Sequence, residues 1–468
     1  MLFSSISFLY YFLPIVLVLY FAVPFRFKNL VLLVTSLFFY FYGEPIYTFL
    51  MLGTSLSSYI HGLLIHKFKD TKWSKVFLWS SVITSLAVLG FFKYSDFFIS
   101  NVNNIFKTDV ALLGIALPIG ISFYTFQTLS YTIDVYRGEA EVQKSFIRLA
   151  TYVSLFPQLI AGPIVRYTTV EEDLSKRTHS FEGFADGATR FVVGLSKKVL
   201  IANALGDFCT NCFRASDDKS IGFYWLYAIA FSLHIYFDFS GYSDMAIGLG
   251  RIFGFRFLEN FNYPFISKSV SEFWRRWHMS LGTWFRDYVY IPLGGNRVSK
   301  WRWLFNTLVV WFLTGFWHGA DWTFIIWGLY FALFLVLEKF WLKKFFDKLP
   351  RVFSHIYVLF LILISFVVFN ANGMGEAISD IGGMFGVGDL PLWSKETGYY
   401  LASYGLLFII AIFGATPVMK NVVLKLRANE KVRPVFHVLE PIVCVVLLIV
   451  ITACFVNGSF NPFLYFRF

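Results

Sequence analysis

Apolar residues occur in this chain in long runs that recur from one end to the other. The first 25 residues carry no charged side chain, and Phe8–Val23 is an uninterrupted apolar run. Of the 468 residues, 57% are hydrophobic and only 15% are charged. A soluble domain of this length cannot bury so much apolar surface, so the sequence predicts a chain that folds in a lipid bilayer.

We predict an all-α integral membrane protein with about 10–12 transmembrane helices, because one crossing needs about 20 apolar residues. The first run is expected to be an uncleaved span, since no basic segment precedes it and no small-residue cleavage site is evident. The sequence shows no internal repeat and no long linker. Residues 1–468 are therefore predicted to form one domain, with a catalytic core at about 117–340.

Basic side chains cluster in short loops between the apolar runs, and the net charge is +11. This is the pattern of the positive-inside rule, so the charge indicates a membrane surface and no nucleic-acid partner. We expect the loops around Lys69, Lys344 and Lys425 to be cytoplasmic. The loop 371–398 carries four acidic residues and one lysine, and we expect it, like the N-terminus, to lie outside.

Polar residues inside membrane spans are costly and indicate function by default. Gln127, Asp238 and Asp244 fall in such runs, and we predict that they line a tunnel through the helix bundle. The aspartates could instead cap helix starts. Residues 156–167 include two prolines and a glycine, which predicts a re-entrant or kinked segment beside a cavity.

The segment 274–295 reads WRRWHMSLGTWFRDYVYIPLGG. Its aromatic and leucine side chains recur every three or four residues, which predicts one amphipathic helix over 274–288 at the membrane interface. The positive face of this helix could contact anionic lipid. Alternatively it could receive an anionic substrate group, for which the candidate contacts are Arg275, Arg276, Arg286 and Arg297.

His318 follows a short apolar helix between two loops that are both expected to be cytoplasmic. Leu304–Trp317 has 14 residues, about 21 Å of helix against a hydrocarbon core of about 30 Å. We therefore expect His318 to stop at depth, where burial favours the neutral imidazole that can accept a proton from a hydroxyl. A packing role is the alternative, and Asp321 could orient the ring. His278 is the second candidate, for binding or orientation.

The motifs of several other catalytic chemistries are absent from the sequence. It contains no G-x-S-x-G elbow, no P-loop and no H-E-x-x-H. We expect no metal site and no bound cofactor. A histidine base that acts directly on a hydroxyl fits the residues that remain.

Five stretches of the chain, and its aromatic ending SFNPFLYFRF, match the pattern of a known family. The stretches are LPIGISFYTFQTLSYTIDVYRG, FPQLIAGPIVR, YFDFSGYSDMAIGLGRIFGF, NFNYPFISKSVSEFWRRWHMSLGTWFRDYVYIPLGGNR and TGFWHGADWTFIIWGLY. In these stretches the chain resembles the bacterial membrane-bound O-acyltransferases, in particular the branch that acetylates alginate. The likeness covers nearly the whole chain.

The resemblance implies transfer of an acyl group, here acetyl, from a cytoplasmic thioester to a hydroxyl through a tunnel across the bacterial cytoplasmic membrane. It makes His318 the catalytic histidine and His278 the second active-site position. The donor would be acetyl-CoA or an acyl-carrier thioester, with the arginines near it. The acceptor would be an extracytoplasmic polysaccharide similar to alginate, or a secreted or periplasmic acetyl-transfer partner protein. D-alanyl transfer to teichoic acid and a transporter or flippase without covalent chemistry are the alternatives.

Overall fold

Helices form all of the regular secondary structure in the computed structural model, which describes residues 1–458. The first ten α-helices are α1 (Leu13–Ala22), α2 (Phe25–Phe41), α3 (Pro45–Lys67), α4 (Lys72–Phe106), α5 (Ile121–Arg137), α6 (Phe146–Ser154), α7 (Phe156–Leu159), α8 (Tyr167–Ser175), α9 (Phe181–Ser196) and α10 (Asn203–Asp207). The aromatic ending of the chain lies outside the described residues.

The remaining α-helices bear the candidate histidines and the long C-terminal spans. They are α11 (Ile221–Ile252), α12 (Val270–Trp274), α13 (Met279–Phe285), α14 (Lys300–His318), α15 (Trp322–Leu337), α16 (Lys343–Phe346), α17 (Arg351–Asn370), α18 (Met374–Met384), α19 (Lys395–Gly414), α20 (Val418–Ala428) and α21 (Arg433–Val456). Wider π-helical turns adjoin several of them, at Ser7–Phe12, Lys197–Ala202, Phe208–Arg214, Arg286–Tyr290 and Glu338–Leu342.

Six helical stretches of the described chain are long and apolar enough, by length and composition, to cross a membrane. They are Pro45–Lys67, Lys72–Phe106, Trp322–Phe346, Arg351–Asn370, Lys395–Gly414 and Arg433–Val456. The all-α membrane fold is thereby confirmed. The larger number of crossings, about 10–12, depends on shorter or more polar helices and stays a prediction.

The chain divides into two compact units. The first comprises Met1–Phe191 and Tyr242–Leu258, and the second comprises Val192–Gly241 with the described residues from Glu259 onward. The long helix α11 contributes its beginning to the second unit and its end to the first. Both candidate histidines belong to the second unit. The single domain over the whole chain stays a prediction.

Helical structure is interrupted in the first unit, at the segment whose two prolines predict a break. Helix α7 ends at Leu159, residues 160–166 form no regular helix, and nearly all of them are buried. The interrupted backbone is therefore confirmed, and its protection by surrounding protein is what a non-helical segment in a membrane protein requires. Its re-entrant path beside a cavity stays a prediction.

In the second unit α14 and α15 form a tight antiparallel hairpin. A Cβ placed on Gly315 would lie 2.2 Å from the Phe324 carbonyl oxygen, and one on Gly328 would lie 2.3 Å from the Trp311 carbonyl oxygen. Only glycine allows the two backbones to approach this closely, as in other membrane helix pairs. The crossing fixes the end of α14, and therefore His318, against α15.

The predicted amphipathic helix over 274–288 is wrong. Helix α12 ends at Trp274 and α13 begins at Met279, because His278 between them has φ 45° and ψ 53°, a left-handed conformation that cannot continue a helix. Trp277 and Trp284 are buried inside the protein. The three-to-four spacing therefore reflects two short helices that pack into a core, since packing inside protein also selects large apolar side chains.

Candidate active site

His318 is the last residue of α14 and lies in an aromatic enclosure. Its ring centroid is 5.1 Å from that of Trp317, 5.0 Å from that of Trp327 and 5.4 Å from that of Phe369. The side chain is only 4% exposed. The predicted helix end at His318 is confirmed, because the following Gly319 has extended backbone. The helix that precedes it is longer than expected: α14 has 19 residues from Lys300, where the sequence predicted 14 from Leu304. The expected short helix is therefore wrong, and the depth of His318 in a membrane stays a prediction.

The loop after His318 explains two further residues of the TGFWHGADW motif. Gly319 is required by space, because a Cβ there would lie 2.2 Å from the ring of Phe324. Asp321 is the N-cap of α15, and its Oδ1 accepts the backbone N–H of Thr323 at 2.8 Å and the Thr323 hydroxyl at 2.9 Å. The suggestion that Asp321 orients His318 is therefore replaced by a helix-capping role.

His278 lies close to the same aromatic enclosure. Its ring centroid is 6.1 Å from that of Trp317 and 4.6 Å from that of Phe239, and it is only 1% exposed. Trp317 therefore contacts both candidate histidines. His278 lies outside the six candidate spans, and burial lowers its pKa to about 3, so the ring is neutral at physiological pH.

A polar side chain fixes the His278 ring. Nδ1 of His278 lies 3.2 Å from Oδ1 of Asn260, and the same oxygen accepts the hydroxyl of Ser280 at 2.9 Å. Asn260 was not among the residues that the sequence singled out. The sequence places it 18 residues before His278, with no regular spacing that would connect the two, so only the tertiary fold shows their contact.

A cavity of about 730 Å³ opens in the second unit one helical turn from His278. Gly282 lines it, and the Gly282 N–H donates to the His278 carbonyl at 3.1 Å. Four cationic side chains and one carboxylate also line it: Arg275, Arg286, Lys339, Lys343 and Glu338. The wall is therefore mainly positive.

The predicted arginines divide into two groups. Arg275 and Arg286 line the cavity. Arg276 instead pairs with Glu272 at 2.9 Å and donates to the Asn262 carbonyl at 3.1 Å. Arg297 is exposed and is not part of the cavity wall. Only two of the four candidates can therefore contact a molecule in this cavity.

The lysines of the cavity wall come from the far end of the α14–α15 hairpin. Lys339 Nζ lies 3.4 Å from the ring centroid of Trp303, and Lys343 follows one turn later. The Glu338 carboxylate accepts the backbone N–H groups of Val270 at 2.5 Å and Ser271 at 3.1 Å, at the start of α12. The sequence predicts that both ends of the hairpin face the cytoplasm, where basic residues concentrate. It does not identify Lys339 and Lys343 as residues of one cavity wall.

Tryptophan rings connect the cavity wall to His318. Trp311 lines the cavity, and its ring centroid is 4.8 Å from that of Trp274. Trp274 in turn is 5.4 Å from Trp327, which contacts His318 at 5.0 Å. A series of three tryptophan rings therefore connects the wall of the positive cavity to the histidine.

The three residues predicted to line a tunnel are all in the interior of helices. Asp238 forms an ion pair of 2.5 Å with Lys198 in the second unit. In the first unit Asp244 pairs with Arg190 at 2.8 Å, and Gln127 is 1% exposed within α5. Both aspartates lie in the middle of α11, so the helix-cap alternative is wrong. Their place on a tunnel stays a prediction.

Comparisons with known proteins bear on the whole chain. The model of the membrane-bound O-acyltransferase (MBOAT) family matches residues 46–373, which contain both histidines. The chain is 38% identical to the probable alginate O-acetylase of Azotobacter vinelandii over the full length of both proteins. It is 32% identical to the peptidoglycan O-acetyltransferase of Helicobacter pylori, over all of this chain and 98% of that protein.

A more partial match involves a different acyl group. The teichoic acid D-alanyltransferase of Bacillus subtilis is 34% identical over 48% of this chain and 61% of its own length. The family match and the full-length relatives together exclude the reading as a transporter without covalent chemistry. This chain is a multi-pass membrane O-acyltransferase that belongs to the MBOAT family.

Proposed function

We propose that this protein transfers an acetyl group from a cytoplasmic thioester to a hydroxyl, for O-acetylation of an extracytoplasmic polysaccharide similar to alginate. The relatives that match over the full chain support this choice, since their names specify O-acetylation of alginate or peptidoglycan. The D-alanyltransferases match about half of the chain. The structural observation that carries the proposal is the contact of Trp317 with both buried histidines, next to a positive cavity.

His318 is the general base in this proposal. The acceptor hydroxyl oxygen attacks the thioester carbonyl carbon while the imidazole of His318 takes the hydroxyl proton. The new C–O ester bond forms, the C–S bond breaks, and the proton passes from the imidazolium to the leaving thiolate. A free thiol is released and His318 returns to its neutral form. The aromatic enclosure excludes water, which would otherwise hydrolyse the thioester.

The positive cavity is the proposed donor site. Acetyl-CoA and acyl-carrier thioesters both place phosphate groups beyond a pantetheine arm, and Arg275, Arg286 and Lys343 supply charge-assisted hydrogen bonds for such groups. Contacts from Trp311 through Trp274 to Trp327 connect that cavity to His318. A tunnel that leads the thioester past these rings is part of the proposal.

A partner protein outside the membrane completes the proposed pathway. Helices and short loops make up the described chain, which offers no separate external domain to handle a polymer. We therefore expect a secreted or periplasmic protein to receive the acetyl group, or to bring the polysaccharide to the membrane.

The test of the base is His318→Gln in full-length protein purified in detergent, with acetyl transfer measured by release of free thiol. Glutamine keeps a hydrogen-bonding group but takes no proton in the working pH range. We expect the turnover number to fall at least about 100-fold, the lower end for lost acid–base catalysis, with donor binding near normal.

Thermal melting of the same preparation controls for folding. A well-folded His318→Gln protein with near-normal turnover would remove His318 from the mechanism and leave His278 as the candidate base. Parallel assays with D-alanyl and acetyl donors on carrier protein, and with acetyl-CoA, identify the donor, and preference for the D-alanyl donor would contradict the proposed acetyl transfer.

The donor cavity is tested by a matched pair of neighbouring arginines. Arg275→Ala should raise the KM for the donor more than it lowers kcat, because a contact to a phosphate is present in the ground state as well as in the transition state. Arg276→Ala removes a cation of equal charge that pairs with Glu272 and does not line the cavity. It should raise KM by less. Equal increases in KM would mean that the net positive charge of this surface attracts the donor, and that a contact inside the cavity does not.

A further inference from the structure

The side-chain oxygen of Asn260 lies within hydrogen-bond distance of three polar groups. Its Oδ1 accepts the backbone N–H of Ser280 at 3.2 Å and the Ser280 hydroxyl at 2.9 Å, and it lies 3.2 Å from Nδ1 of His278. The residue is 1% exposed. A side chain this deeply buried, with a catalytic candidate among its partners, constrains the chemistry of that candidate.

The contacts determine which nitrogen of His278 carries the proton. A backbone N–H can only donate, so the Asn260 atom that faces Ser280 must be the carbonyl oxygen and not the amide nitrogen. The same oxygen lies 3.2 Å from Nδ1 of His278, nearer than the Ser280 hydroxyl at 3.5 Å. Because the Ser280 hydroxyl also donates to Asn260, the nearer partner of Nδ1 is an acceptor, which favours hydrogen on Nδ1. A neutral imidazole has a single N–H, and its Nε2 therefore bears the lone pair.

The backbone around Asn260 also holds His278 in its strained conformation. The Met279 N–H donates to the Asn260 carbonyl at 3.0 Å, and the Asn262 N–H donates to the Arg276 carbonyl at 2.9 Å. His278 between these bonds has φ 45°. A left-handed conformation costs a residue with a side chain free energy and persists only where the surroundings over-determine it. One short segment therefore fixes both the backbone and the ring of His278.

We propose that Asn260 is a positioning residue that holds His278 as the Nδ1–H tautomer, so that Nε2 accepts a hydrogen bond from an N–H or O–H group of a substrate. The inference rests on the proposed place of His278 at the reaction centre. A pantetheine amide and an acceptor hydroxyl both supply such a donor. The same tautomer prevents neutral His278 from donating to the oxyanion of the transition state, since its only N–H is directed at Asn260.

The experiment compares Asn260→Ala and Asn260→Asp in the full-length purified enzyme. Alanine leaves the ring without its acceptor, and we expect kcat to fall about 10–100-fold, the range found when the hydrogen-bond partner of a metal-binding histidine is removed. Aspartate accepts the same hydrogen bonds and keeps the tautomer, so kcat should be well above that of Asn260→Ala.

Asn29→Ala is the matched control for loss of a buried asparagine. Asn29 donates to the Leu174 carbonyl at 2.8 Å and accepts from Arg177 at 2.7 Å, in the first unit. It should lower the melting temperature as Asn260→Ala does while kcat is retained. If Asn29→Ala and Asn260→Ala lose kcat equally, the role of Asn260 is structural and the proposal is wrong.

His278→Gln separates failure of the inference from failure of the proposed function. If His278→Gln loses turnover but Asn260→Ala stays within twofold of the wild type, the inference alone is wrong. If His278→Gln also retains normal turnover, His278 is not at the reaction centre. The inference about Asn260 and the proposed place of His278 are then both wrong. If Asn260→Ala does not fold, Asn260→Asp decides: a well-folded Asn260→Asp protein whose kcat falls as far as that of His278→Gln overturns the proposal.

Discussion

The segments that carry His318 and His278 bury their histidines almost equally and hold them by different means. His318 ends a regular 19-residue helix whose partner helix crosses it at two glycines. His278 lies between two short helices in a left-handed conformation. Hydrogen bonds to the segment around Asn260 maintain that conformation. One ring is placed by close packing of backbones, and the other by polar contacts and backbone strain.

The difference indicates how each histidine tolerates change. Packing of α14 against α15 distributes the constraint on the backbone of His318 over many contacts. At His278 one side-chain oxygen fixes the ring nitrogen that carries hydrogen. A catalytic group needs its geometry held within a fraction of an ångström, and either means can supply this. The position of His318 should therefore be lost when the hairpin is disrupted, and the orientation of His278 when its hydrogen bond is lost.

The largest expected effect is on the hairpin. Gly328→Ala places a Cβ 2.3 Å from the Trp311 carbonyl oxygen and 3.1 Å from the Gly315 backbone. Backbone cannot shift locally without separating the helices, so we expect the free energy of unfolding to fall by about 3 kcal/mol, the upper part of the range for overpacking. Thermal or denaturant unfolding in detergent measures this.

Gly405→Ala is the control for the helical glycine itself. Gly405 lies in α19 of the same unit, and a Cβ there would meet no atom within 4 Å. Alanine should stabilise this position by about 0.5–1 kcal/mol, because it loses less backbone freedom in a helix than glycine does. If Gly328→Ala were as harmless as Gly405→Ala, close packing of the hairpin could not be what positions His318.

The sequence predicted the hairpin well because its signals are local. A run of apolar residues, basic loops at both ends and a glycine after the histidine all lie within about 45 residues. Hydropathy and charge report such features directly. The helix end at His318 follows from them. The identity of Lys339 and Lys343 as cavity residues required the pairing of the two helices, which hydropathy indicates only in outline.

The sequence failed at 274–288 because its regular spacing had two explanations. Apolar residues at intervals of three and four occur in one long helix, and equally in two short helices that are each packed in a core. The residue that decides is His278, whose φ of 45° is set by contacts from Asn260 and Asn262. Histidine adopts that conformation more often than most residues, but still rarely, so neither its identity nor the periodicity reveals the break.

The smallest expected effect gives the most selective test of the backbone conformation at the two histidines. At position 278, where φ is 45°, His278→Gly should be more stable than His278→Ala by about 1 kcal/mol, because only alanine pays for the left-handed conformation. At position 318, within α14, the order should reverse: His318→Gly should be less stable than His318→Ala by about 0.5 kcal/mol, since glycine weakens a helix.

Each pair of variants removes the same imidazole, so the lost ring contacts cancel and the remaining difference reports the backbone alone. Unfolding in one detergent suffices, and activity is not required. The crossing of the two orders is the expected result. If alanine were preferred at both positions, His278 would occupy ordinary helical backbone, and the strain that distinguishes the two segments would not exist in the protein.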